Sequence, residues 1–339
     1  MKGFAKNRAR WETLSLSIAA GALLGFIFYI IANSGLLSRA MNRGSNDAVW
    51  IMTIAFLAVV PFSMGYLTAH RYLRSTPVEK IKWYAWFFLP WASVLALVLA
   101  CVLPGWEGWP CLVMASPIML FFSTCGGVAA RLFWGSKLKN RSPGTLSAYA
   151  LPLLLLFVEP HIPAQDEIRS VNTEIMIHAP ANTVWANIKS VRAIAPSELE
   201  DSWVTQIGFP KPVAATLSHD GIGGVRQASF TGGLVFTETV NRWEPENDLR
   251  FSIHANTDSI PRTTLDEHVT IGGAYFDVLN GEYRLEQRPD GILLHLSSRE
   301  RLSTHFNLYA GVWTDGVMRA IQNQILAVIR NRCETLPPA

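Results

Sequence analysis

Acidic residues are nearly missing from the first half of this sequence. Residues 1–160 carry only Glu12, Asp47, Glu79, Glu107 and Glu159, against 14 of the chain's 29 Lys and Arg. The remainder has 15 basic and 21 acidic residues, so the halves carry about +9 and −6 and the net +3 describes neither. The basic excess sits in short loops between apolar runs, which argues against nucleic acid as a partner. Cysteine is also scarce. Cys101, Cys111 and Cys125 lie in or beside apolar runs and Cys333 stands alone near the C-terminus. A disulfide within the second half is therefore excluded, and the redox compartment stays open.

Sequence signatures of catalysis are absent as well. There is no Gly-x-Ser-x-Gly, no His-Glu-x-x-His, no Cys-x-x-Cys and no phosphate-cradling glycine loop. Gly221-x-Gly223-Gly224 reads as a turn before a strand. His219, His254, His268, His295 and His305 fall on separate elements without ligand spacing, so neither a metal nor a cofactor is expected.

What the sequence does have is long hydrophobic runs, at residues 13–33, 48–69, 83–104, 109–130 and 145–159. About 20 helical residues cross a ~30 Å hydrocarbon core, which the first four satisfy. The fifth, Leu146 to Val158 with Pro152 inside, is shorter. The first run is too long for a cleaved signal peptide and is read as an anchor. Lys and Arg crowd alternate loops, twelve against two, with only Arg39 and Arg43 on the other side. That bias puts the N-terminus in the cytoplasm. Five spans then put the second half outside, on the periplasmic side of a bacterial inner membrane. If the fifth run fails to cross, that half is cytoplasmic. Trp50, Trp83, Trp86, Trp106, Trp109 and Trp134 near the run ends suit an interfacial belt. The run interiors hold no Asp, Glu, Lys or Arg, so the bundle reads as an anchor and not a transport path. Gly126-Gly127 and Ala129-Ala130 suit close helix packing.

Residues 161–170 read as a polar linker. Strands follow at Thr173–His178, Gly223–Phe230, Leu234–Trp243, Leu249–His254, Ala274–Gln287 and Gly291–Ser303. Pro180 opens a helix over Ala181–Val191 with Val184, Trp185 and Ile188 at helical spacing. Irregular stretches at 192–212 and 256–273 are long enough to suggest the mouth of a site. A last helix, His305 to Arg332, repeats Met318, Ile321, Ile325, Val328 and Ile329 on one face. Such a helix buries that face on the concave side of a curved sheet, leaving a pocket for an apolar ligand.

Residues 171–334 resemble the START-like superfamily of helix-grip domains, which includes polyketide cyclase-like and lipid-transfer proteins. The likeness lies in Ile177-His178-Ala179-Pro180 leading into Ala181–Trp185, in Phe236–Pro245 running into Leu249-Arg250-Phe251, and in Tyr283-Arg284-Leu285-Glu286, the turn Pro289-Asp290-Gly291 and the helix end Ile325–Ile329. The resemblance implies an α+β helix-grip domain behind the transmembrane helical domain of residues 1–160.

Candidate ligand-binding residues are Phe236, Glu238 and Val240 on one strand face, His295 on the last strand, and Met318, Ile321 and Ile325 on the terminal helix. Glu238 has two readings: a pocket carboxylate poised as acid or base, or an ion-pair partner of Arg226 or Arg250. Arg299 and Arg301 form either a solvated face or a site for an anionic headgroup. The leading reading is a membrane-tethered binder of lipid or another hydrophobic small molecule, with membrane lipids as partners. The alternatives are a cyclase- or dehydratase-like enzyme using Glu238 or His295, and an interaction or sensory subunit.

Overall fold

The computed structural model describes residues 2–33, 52–77, 80–134, 143–256 and 271–335. The chain divides into two compact units, Met1–Pro163 and Ala164–Ala339.

The first unit is helical. It contains α1 (Lys2–Asn33), a π-helical turn (Ala55–Val59) that continues into α2 (Val60–Ser75), α3 (Trp83–Val102), α4 (Trp109–Trp134) and α5 (Pro143–Val158). Among the described residues, three helices are long and apolar enough to cross a membrane: Trp11–Asn33 within α1, then α3 and α4. Of the five expected spans, these three are supported among the described residues. The second run is divided between the π turn and the 16-residue α2, and its residues 48–51 lie outside the described residues. The fifth run becomes the 16-residue α5, about 24 Å long at ~1.5 Å per residue, short of the hydrocarbon core.

Small residues let these helices touch at the backbone. A Cβ on Gly126 would lie 1.9 Å from the Phe62 carbonyl oxygen, and one on Gly127 would lie 2.2 Å from that of Trp86. The Gly126-Gly127 pair therefore serves packing, as the sequence suggested. Polar groups are tied internally. Trp91 donates to Thr124 Oγ1 at 2.7 Å, and the Glu159 carboxylate accepts the Ile54 and Ala55 amides that open the π turn.

The second unit is one antiparallel sheet with helices on one face. Its elements are β1 (Glu167–Ile177), α6 (Ala181–Lys189), α7 (Trp203–Gln206), β2 (Pro212–Leu217), β3 (Val225–Phe230), β4 (Val235–Glu244), β5 (Asp248–Asn256), β6 (Phe276–Arg288), β7 (Gly291–Leu302) and α8 (Asn307–Thr335). The spatial order is β1-β7-β6-β5-β4-β3-β2, so β1 and β2 are the edges. This meander, closed by a long C-terminal helix, is a helix-grip arrangement.

Four local features differ from the sequence reading. β1 starts at Glu167, inside the expected linker, because residues 167–177 pair along the whole of β7. β2 was not anticipated: Pro212 begins it, and proline is tolerated at the first residue of an edge strand. The stretch 192–212 holds a 3₁₀ turn at Pro196–Glu198 and the short α7. The terminal helix starts at Asn307, whose Oδ1 accepts from the Thr304 amide at 2.7 Å and fixes the turn before it. Most of 256–273 lies outside the described residues.

The core follows from alternation. Leu249 and Phe251 on β5, Tyr283 and Leu285 on β6, and Ile292, Leu294 and Leu296 on β7 face inward. They meet Val184, Trp185 and Ile188 of α6 and Leu326 and Ile329 of α8. That cluster packs one end of the sheet solid. A second, smaller cluster around Val191, Ala215, Ala228 and Leu234 lies toward the β2 edge.

Candidate functional site

Between the inner sheet face and α8 lies a cavity of about 130 Å³ with largely apolar walls. Phe236 and Glu238 reach it from β4, two residues apart on the inward face. Met318, Ile321 and Ile325 line it from α8 at three- and four-residue steps. Gly281 on β6 makes space on the sheet side, where a Cβ would lie 2.6 Å from the Phe251 ring.

Two candidates lie elsewhere. Val240 continues the inward face of β4 but sits in the solid core, 1% exposed, past the end of the cavity. His295 lies on the opposite face of the sheet, because its neighbours Leu294 and Leu296 point inward. There its ring nitrogens meet Glu286 at 3.0 Å and Glu174 at 3.2 Å. Hydrogen bonding to His295 holds the Glu286 carboxyl below the usual range. Five of the seven residues therefore converge and two do not.

The cavity's polar feature is a buried ion pair. Arg226 faces Glu238 across the β3–β4 ladder, and Arg226 Nη1 donates to Glu238 Oε2. Their side chains are 4% and 8% exposed. The Arg226 guanidinium also lies 5.5 Å from the Phe251 ring centroid and 6.0 Å from that of Tyr283. Burial pushes the Glu238 carboxyl up, and the Arg226 charge pulls the other way. Burial alone would lower Arg226, but Glu238 and Tyr283 more than offset it and leave it raised. The cationic partner thus occupies the carboxylate that a general acid or base would need. Arg250, the other candidate partner, pairs instead with Glu282 at 2.7 Å.

Sequence reading missed a second buried carboxylate. Glu300 on β7 is 0% exposed, and burial pushes its carboxyl up to about 7. Ser298 donates to it at 3.0 Å, and Gln322 of α8 donates to Ser298 at 2.9 Å. Thr173 of β1 donates to Gln322 in turn, at 2.9 Å. Ser298 and Gln322 line the cavity, so this polar chain forms part of its wall. The signal is in the alternation: Leu294, Leu296, Ser298 and Glu300 share one strand face, with Arg299 and Arg301 on the other. Arg301 donates to the Gly273 and Ala274 carbonyls, which makes it a loop tie. Among the described residues no group of three or more His, Cys, Asp or Glu is placed to hold a metal.

No known family's sequence profile matches the chain, and no curated protein matches it. Among solved structures the chain is similar to a START superfamily protein from Mycobacterium smegmatis, at 11% identity over 50% of this chain and 99% of that one, TM-score 0.32. It is also similar to an uncharacterized protein of Rhizobium leguminosarum, at 14% identity over 49% and 97% of the two chains, TM-score 0.30. A third is the di-domain ARO/CYC BexL from the BE-7585A biosynthetic pathway, at 13% identity over 63% and 64%, TM-score 0.28. Strand order and the closing helix carry the fold on their own.

Proposed function

We propose that the second unit holds a hydrophobic small molecule or lipid in the cavity under α8, without catalysing a reaction on it, and that the first unit anchors it in a membrane. The observation that carries this is an apolar cavity whose charged wall groups, Arg226 and Glu238, are tied to each other, and whose polar wall residues Ser298 and Gln322 are joined by a hydrogen bond. A largely apolar site with a few placed polar groups is the general form of a small-molecule pocket. The bias of Lys and Arg toward alternate loops supports a cytoplasmic N-terminus, and an odd number of crossings then puts the second unit on the outer side of a bacterial inner membrane. Membrane lipids are then the nearest source of cargo.

The test is organic extraction and mass spectrometry of the full chain purified in detergent, beside Ile321→Trp, which fills the cavity from α8. An apolar compound carried by the parent protein and missing from Ile321→Trp supports the reading. Equal recovery from both, with the variant folded, contradicts it.

A further inference from the structure

The register of the sheet brings one set of strand ends together. Glu167 at the start of β1 pairs with Leu302 at the end of β7, which also pairs with Phe276 at the start of β6. Along the same rim, Asn256 at the end of β5 meets Val235 at the start of β4, and Phe230 at the end of β3 meets Pro212 at the start of β2. The cavity runs out to this rim, where Pro212, Phe230, Leu234 and Ile271 line it. The opposite rim is closed by the solid core, and there α8 ends with Glu334 accepting the His178 amide at 2.9 Å.

α8 starts at the open rim. Asn307 Nδ2 donates to the Gln165 carbonyl at 2.9 Å, just ahead of β1. In the first turns of the helix, Leu308 and Val312 stand four residues apart on one face, 90% and 71% exposed. Beside them Trp313 meets Trp203 of α7 at 6.3 Å between ring centroids, and Trp203 is itself 42% exposed. Apolar side chains flanked by tryptophan suit a lipid–water interface. The chain reaches this rim from the apolar α5 through the 3₁₀ turn Glu159–His161 and residues 162–166 alone, the latter about 18 Å at full extension.

We infer that this rim, led by Leu308 and Val312, docks on the surface of a lipid bilayer, so that the cavity exchanges its contents directly with the membrane. The inference rests on the reading of the first unit as a membrane anchor and the second as a cargo holder. Its occupant is lipid, because the exposed residues are apolar and the tether is short.

The experiment uses the full chain in nanodiscs of phosphatidylethanolamine and phosphatidylglycerol. A cysteine at Leu308 (Leu308→Cys) or at Ile222 (Ile222→Cys) is labelled with an environment-sensitive fluorophore. Ile222 is also 71% exposed but lies in the β2–β3 turn at the opposite rim. Background labelling is read on the parent chain. Doxyl-labelled lipid is expected to remove most of the emission at position 308 and little at 222. Equal quenching at both positions, or none at 308, overturns the inference. So does oxidative cross-linking of two chains through Leu308→Cys, which would place a second copy on this face. Cargo recovery, measured separately, shows whether the holding role stands whatever the docking result.

Discussion

At the scale of single residues, Arg226 and Glu238 decide how the cavity behaves. Each charge is out of water, and each is compensated by the other. Removing one partner leaves an uncompensated buried charge, which costs about 3–5 kcal/mol, whereas replacing both by apolar groups is often neutral. Glu238→Gln is therefore expected to lower the thermal midpoint sharply, and Arg226→Met/Glu238→Leu to recover most of the loss. A double variant no better than the single one would contradict that balance. Glu300 gives a pH signature. Its folded carboxyl titrates near 7, above the ~4.3 of an unfolded glutamate, so the folded state holds the proton more tightly. Its contribution is full below about pH 4.3, declines as pH rises toward 7, and is gone above. The change is on the order of 3 kcal/mol. Glu300→Gln is expected to remove that slope from a series of thermal midpoints between pH 4.5 and 8. An unchanged slope would show that the carboxyl is not the titrating group. Both carboxylates sit on alternating strands, so their faces were legible in the sequence. Their partners were only partly so, because a cross-strand pair such as Arg226 and Glu238 is set by register, which no single strand records.

At the scale of elements, α8 does two jobs with adjacent faces. Leu326 and Ile329 seal the core, while Met318, Ile321 and Ile325 line the cavity. Apolar spacing alone marks both sets as inward and does not say which meets packed side chains and which meets space. Val240 was assigned to the pocket for the same reason, since the inward face of β4 passes from cavity to core along its length. His295 falls on the outer face because Leu294 and Leu296 on either side of it point inward. β2 escaped notice because prolines at 210 and 212 look like loop punctuation. In the first unit, Gly126 should tolerate no side chain. Gly126→Val is expected to force α2 and α4 apart, with an overpacking cost of about 1–3 kcal/mol or more, read as a lower thermal midpoint in detergent. An unaltered midpoint would mean that the Phe62 backbone can give way.

At the scale of the whole molecule, the opposite charge of the two halves was legible, and it separates a basic apolar unit from an acidic one. The span count is supported for three helices among the described residues, while the second run forms a π turn continuing into α2 and the fifth forms the 16-residue α5. The side of the membrane occupied by the second unit can be read with Ile222→Cys in spheroplasts. A membrane-impermeant maleimide is expected to react without permeabilisation, and reaction only after permeabilisation would reverse the orientation. The central claim, that the cavity holds an apolar cargo, is tested most directly by photo-cross-linking in the native membrane. Benzoylphenylalanine placed at Phe236, inside the cavity, is compared with the same group at His295 on the outer face. An apolar adduct at 236 and none at 295, resolved by mass spectrometry, is the expected result. Adducts at neither position, or equally at both, would contradict it.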